Sequence, residues 1–157
     1  MTSPVLESEY EIRRVLARYA HAVDRDDDDM LRSCYHRDAI DEHMTYTGDI
    51  DGYIKQRRAR SKNFRMRHHM MGAPFIEIDG ENARVETCCT SSHIVTRDER
   101  GPERLWILWV RYEDRFEKRD GEWRIAHRRV RFEGDVVIPT TETFIPYGKR
   151  EELDTLG

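Results

Sequence analysis

The chain has 157 residues, enough for one domain with a buried core, and shows no internal repeat or linker composition that would divide it. Charged residues make up 37% and hydrophobic residues 38%, and 27 Lys and Arg against 31 Asp and Glu leave a formal net charge of -4, which excludes the basic excess of a general nucleic-acid binder. No apolar run reaches the ~18 residues of a membrane span, the start Met1-Thr2-Ser3-Pro4 carries no signal-peptide pattern, and three cysteines, with Cys88 and Cys89 adjacent, argue against a disulfide scaffold and for a reduced cytoplasm.

The first element is an amphipathic helix. Ser8, with Glu11 three residues on, reads as a capping box, and Ile12, Val15, Leu16, Tyr19 and Val23 recur at helical spacing. Arg13, Arg14, Arg18 and His21 fall on the water side. Asp24 sits beside Ala20 at the edge of the apolar stripe, where it can turn inward or cap a second helix. The acidic run 26–29 precedes Met30, Leu31 and Tyr35. It suits the solvated start of that second helix, because carboxylates are stabilised at the positive end of the dipole. His36 and His43 read as surface groups in a loop. A third helix is expected after Asp51, through Tyr53, Ile54 and the basic run 57–62.

From Arg65 the pattern turns to strands. Residues 75–78 form a short strand closed by the hairpin signal Asp79-Gly80-Glu81-Asn82. Long strands are expected over 83–96, 105–116 and 122–132, separated by turns at Arg100-Gly101-Pro102 and Arg119-Asp120-Gly121. The tail from Gly134 has weak periodicity, yet Val136, Val137, Ile138, Phe144 and Ile145 are apolar enough to pack. Three helices followed by an antiparallel meander predict an α+β domain. The expected form is a cone-like α+β barrel, in which N-terminal helices pack on a strongly curved, mainly antiparallel sheet that encloses a pocket. The core runs over about 8–133 of a single domain, with a tail over 134–157.

Strand alternation sorts the candidate side chains. His68 and His69 point to opposite faces. His93 shares parity with Val85, Cys89 and Val95, hence the inner face. Trp106 and Trp109 point oppositely, so at most one lines the cavity; Trp109 is taken as the substrate contact.

An imidazole is the natural general base near neutral pH. A carboxylate on its second nitrogen fixes the tautomer and stabilises the imidazolium as a proton arrives. Asp24 and His69 are the candidates. In a dry pocket the pairing is expected to raise the basicity of His69. An elimination needs one more donor for the leaving oxygen, and Tyr19, Tyr46 or His93 can supply it. No metal or organic cofactor is required.

Three stretches carry a family resemblance: 12–24, ending in Tyr19-Ala20-His21-Ala22-Val23-Asp24; 69–80, opening His69-Met70-Met71-Gly72; and 112–125. Together they resemble the SnoaL-like branch of the nuclear transport factor 2-like superfamily. The lyases of that branch, dehydratases of scytalone and of bile acids and a hexachlorocyclohexane dehydrochlorinase, use an Asp and His pair. The resemblance carries those roles to Asp24 and His69, and a helper role to Tyr19. His93 matches a second pocket His. Arg129 or Arg131 matches a late-strand Arg.

The expected function is therefore a cofactor-independent lyase. It would remove water, or another small leaving group such as formaldehyde, from a hydrophobic cyclic or aromatic molecule, a lignin-derived phenol being one subclass. The alternatives are a steroid-type isomerase, a small ligand-binding module, and the non-catalytic small subunit of a ring-hydroxylating dioxygenase. Neither a nucleic acid nor a membrane is expected as a partner. A homo-oligomer is expected, with a trimer favoured and a dimer as the second choice.

Overall fold

The computed structural model describes residues 3–140. Helix α1 (Pro4–Arg25) starts four residues before the expected capping box. Ser3 occupies the cap without a side-chain bond, and Pro4 takes the first turn, where its missing N–H is no loss. The apolar stripe is buried as its spacing requires, from Ile12 to Val23. The helix ends at Asp26, in the left-handed region (φ 57°), whose N–H bonds the Ala22 carbonyl. Helix α2 (Asp28–Ser33) is capped by Asp27, whose carboxylate accepts the Met30 N–H at 2.9 Å. Asp24 is thus not a cap.

The expected loop over 36–43 is a strand, β1 (Tyr35–His43), followed by a short β2 (Tyr46–Gly48). The polar sequence hid it: its inward residues include His36, which is buried with Nε2 2.9 Å from the Glu117 carbonyl, and Asp41. Helix α3 (Ile50–Ser61) is capped by Asp49, which accepts the Gly52 N–H at 2.8 Å. It buries Ile50, Tyr53 and Ile54 at i, i+3 and i+4.

The remaining strands are β3 (Phe64–Met71), β4 (Phe75–Asp79), β5 (Asn82–Val95), β6 (Arg104–Arg119) and β7 (Glu122–Pro139). Tight turns at Gly80 and at Asp120-Gly121 use positive φ, which glycine adopts freely. The sheet has seven strands in the order β2-β1-β7-β6-β5-β3, with β4 also on β5. Strand β4 takes the first part of β5 and β3 the second; between them the Gly72 N–H bonds the Cys88 carbonyl at 2.8 Å. All pairings are antiparallel except β1 with β7, which is parallel. Register shifts at Trp109/Val110 and Arg115/Phe116 bulge the β6–β7 ladder. Bulges bend a sheet, and this one curves around the helices as an open cone with a pocket inside.

Strand β7 continues past Gly134, where the sequence suggested a tail, and pairs residue for residue with β6 as far as Pro139. Val136, Val137 and Ile138 are nevertheless exposed. Phe144 and Ile145 lie outside the described residues. Cys88 is exposed and Cys89 buried, as alternation requires. Among the described residues, an ion pair is fully buried in the core. Arg128 donates from Nε and Nη2 to the two oxygens of Asp114 at 2.7 and 2.6 Å, with both side chains at 0% exposure.

Candidate active site

Asp24 lies on the last turn of α1, and its stripe-edge position turns it toward β3. His69 is on the inward face of β3, flanked by exposed His68 and Met70. The Asp24 Oδ1 is 2.7 Å from His69 Nδ1, and Oδ2 accepts the His69 backbone N–H at 3.1 Å. The carboxylate is placed to accept a hydrogen bond from Nδ1–H, the tautomer that leaves the Nε2 lone pair for a ligand. The side chains are 12% and 17% exposed.

The expected rise in the basicity of His69 does not hold. Burial lowers its pKa and outweighs the hydrogen bond and charge of Asp24, which raise it; the charges of His43 and Arg67 lower it further. Its neutral ring is the form that accepts a proton.

His69 opens on a cavity of about 140 Å³. Val23, Leu108, Val110 and Val130 give it apolar walls, and Phe64 and Trp106 close one side. Trp106 stacks on Phe64 with ring centroids 6.5 Å apart, and its indole N–H donates to Asp135 at 2.8 Å. His93, on β5, meets His69 edge-on at 5.6 Å, with Nε2 2.6 Å from the Ser91 hydroxyl. Burial first, then the charges of His69 and Arg67, push the His93 pKa down to about 3, so it is neutral across the physiological range.

Arg57 from α3 and Arg67 from β3 also line the cavity. Both are tied to Asp26: Arg57 at 2.5 Å, and Arg67 in a shorter contact. Burial alone would raise the Asp26 pKa, but the Ser61 and Arg67 hydrogen bonds and the arginine charges hold it below the usual carboxylate range. Asp28 pairs with Arg57 and Arg58 at 2.8 Å each. Asp26 and Asp28, expected to be solvated, instead fasten α3 and β3 to the end of α1. Among the described residues, no group of three or more His, Cys, Asp or Glu is arranged to hold a metal ion.

The SnoaL-like domain family matches residues 4–129. The chain belongs to that family. At the sequence level it is 28% identical over 122 residues to the uncharacterized protein Rv2910c of Mycobacterium tuberculosis, covering 75% of this chain and 80% of the relative. Solved structures show the same fold. A Novosphingobium aromaticivorans protein with the provisional name scytalone dehydratase superposes with a TM-score of 0.76, at 22% identity over 94% of this chain and 98% of its own. The hexachlorocyclohexane dehydrochlorinase LinA-type3 of Novosphingobium barchaimii gives 0.77, at 16% identity over 90% and 96%.

Within this SnoaL-like domain the other expected site residues are scattered. Tyr19 is fully buried and does not line the cavity. Its ring lies 4.0 Å from the Arg128 guanidinium and edge-on to Tyr112 at 5.6 Å, and burial raises its phenol pKa. It packs the core beneath the site. Tyr46 also stays outside the cavity. Its hydroxyl donates to the Asp49 carbonyl at 2.7 Å, and its ring fills space left by Gly48 and Gly52.

Trp109 faces out, 44% exposed, while Trp106 lines the pocket; the alternation was right and the choice between the two was wrong. Arg129 and Arg131 also face out, paired with Glu42 and Glu113 at 3.1 and 2.9 Å. The inward arginine of β7 is Arg128, fixed by the bulge that sets the strand's parity.

The cavity also contains residues the sequence reading left aside. His43 was assigned to a surface loop and Tyr53 to a helix face, yet both line the pocket. Arg67 shares the strand parity of His69, which was a usable signal. For His43 the only signal was Asp41 two residues before it, and that spacing has meaning only on a strand.

Proposed function

We propose that this SnoaL-like protein is a cofactor-independent lyase in which His69 is the general base and Asp24 orients and charges it. Its substrate is a hydrophobic cyclic or aromatic molecule, from which water or another small leaving group is eliminated. One observation carries the reading: a 2.7 Å carboxylate–imidazole pair set in the wall of an apolar cavity, with the second imidazole nitrogen left for a ligand. The apolar and aromatic side chains that line the cavity suit a ring compound. The names of the dehydratase and dehydrochlorinase that share the fold point the same way.

The chemistry follows from the pair. A neutral imidazole beside a bound ring removes a proton from carbon, and Asp24 compensates the imidazolium that forms. The departing group leaves as the new double bond closes. The dry walls strengthen both interactions.

The test is turnover of a panel of hydroxylated tetralones, β-hydroxy cyclic ketones and phenolic arylpropanoid diols by the wild type, Asp24→Asn and His69→Ala. Turnover by the wild type should fall by roughly three orders of magnitude or more in both variants. Near-normal turnover in both would sink the assignment. Tight binding of panel members with no turnover would point to a ligand-binding module.

A further inference from the structure

Strand β1 brings a second carboxylate and imidazole to the same cavity. Asp41 and His43 are two residues apart on the strand and so point to one face. Asp41 is fully buried; its Oδ2 accepts the Tyr35 hydroxyl at 2.7 Å, while Oδ1 has no hydrogen bond. His43 Nδ1, also buried without a hydrogen-bond partner, is 3.4 Å from that oxygen. A buried carboxylate oxygen left without a donor is destabilising, and an Nδ1–H on His43 is the group placed to satisfy it. The His43 ring stacks on Tyr53 with centroids 4.5 Å apart, and its Nε2 is 3.5 Å from the Tyr53 hydroxyl. His43 and Tyr53 both line the cavity that His69 lines from β3.

We propose that His43, positioned by Asp41 and Tyr53, is the proton donor of this pocket and serves the leaving oxygen while His69 takes the proton from carbon. This rests on the lyase reading above and assigns its missing acid. The His69 Nε2 takes the carbon-bound proton, and the C–H electron pair becomes the new C=C bond. The C–O bond breaks, its pair stays on oxygen, and that oxygen takes the proton from the His43 imidazolium. Substrate becomes alkene plus water. The protein is left with a charged His69 and a neutral His43, and transfer of one proton from the first to the second through solvent resets it.

The other donors considered for this role are neutral, buried away from the cavity or already bonded. His93 is held neutral and bonded to Ser91, Tyr19 is sealed in the core, and the Tyr46 hydroxyl is bonded to Asp49. Asp41 faces His43 as Asp24 faces His69, so each imidazole has its own carboxylate. Charge on His43 adds to burial in lowering the His69 pKa. A protonated His43 therefore favours a neutral His69, the division of labour that an acid–base pair needs.

Two leaving groups on one ring test the assignment. The probes are 3-hydroxy-1-tetralone, which must lose water, and its 3-acetoxy ester, which loses acetate without needing a proton; both yield 1-naphthol. In His43→Gln, loss of water should slow by about 10²–10⁴-fold and loss of acetate by less than about tenfold. His69→Ala should abolish both. Equal slowing of the two probes in His43→Gln overturns the proposal, because a merely structural histidine would not discriminate.

Should the wild type turn over neither probe, the lyase reading fails for this substrate class, and proton NMR of the unliganded protein decides His43 separately. A slowly exchanging imidazole N–H, assigned by its loss in His43→Gln, should vanish in Asp41→Asn while that of His69 remains. Its absence from the wild type, or its survival in a folded Asp41→Asn, overturns the pairing.

Discussion

Asp24 divides its two oxygens between the ring and the backbone of His69, at 2.7 and 3.1 Å. The ring cannot turn without losing the first contact, and β3 cannot slide along α1 without losing the second. Asn at position 24 can still accept the backbone N–H but carries no charge for the imidazolium. We expect Asp24→Asn to keep the fold and lose roughly three orders of magnitude or more in kcat/KM. Asp24 is a raising influence on the His69 pKa. Its removal should therefore move the acid limb of the pH–rate profile to lower pH while the plateau falls. A profile that keeps its acid limb in place would show that His69 is not the titrating base.

His93 makes the fold sensitive to acid. Its pKa is about 3 in the folded chain against an ordinary value of 6.5, so the unfolded chain binds its proton first. Stability from this group is complete above about pH 6.5 and falls by on the order of 1.4 kcal/mol per pH unit as pH drops from there toward 3. Replacing His93 with Asn should flatten that dependence. Urea midpoints of the wild type and His93→Asn at pH 7.5 and 4.5 measure it; parallel changes in the two proteins would refute the cause.

The buried pair Arg128–Asp114 lies under the pocket floor, with Tyr19 and Tyr112 at 4.0 and 4.3 Å from the guanidinium. Removing one partner strands the other charge in the core. Arg128→Met or Asp114→Asn should each destabilise by about 3–5 kcal/mol, and the double replacement Arg128→Met with Asp114→Leu by less than either. Calorimetric melting of the three variants checks the order.

The outer face of the sheet leaves Trp109, Val136 and Ile138 exposed at 44%, 38% and 44%. Such a patch on an antiparallel sheet suits burial against other copies. Light scattering should give about three times the 18.8 kDa chain mass, and Trp109→Glu should lower it. A wild-type monomer would refute a trimer.

Much was legible from short-range pattern. The apolar stripe of α1, the turns at Gly80 and Gly121, and the alternation of β3 and β5 are local consequences of chain geometry, and they placed Asp24, His69 and His93 on inward faces. What depended on distant partners was not legible. β1 is polar and exists because β7 pairs with it in parallel, so His43 looked like loop. The bulges in β6–β7 belong to the pairing of two strands, and the one at Arg115/Phe116 sets the parity by which Arg128 rather than Arg129 or Arg131 faces in.

The sequence by itself therefore determined the fold class, the helix and strand faces, and the identity of one carboxylate and one imidazole able to meet. Only the tertiary structure decided that burial overrides the carboxylate at His69, that Tyr19 belongs to the core, and that Asp41 and His43 face the same cavity. Periodicity is a property of neighbours along the chain, whereas desolvation and register come from groups about forty to ninety residues away, such as Asp24 with His69 and Glu42 with His127.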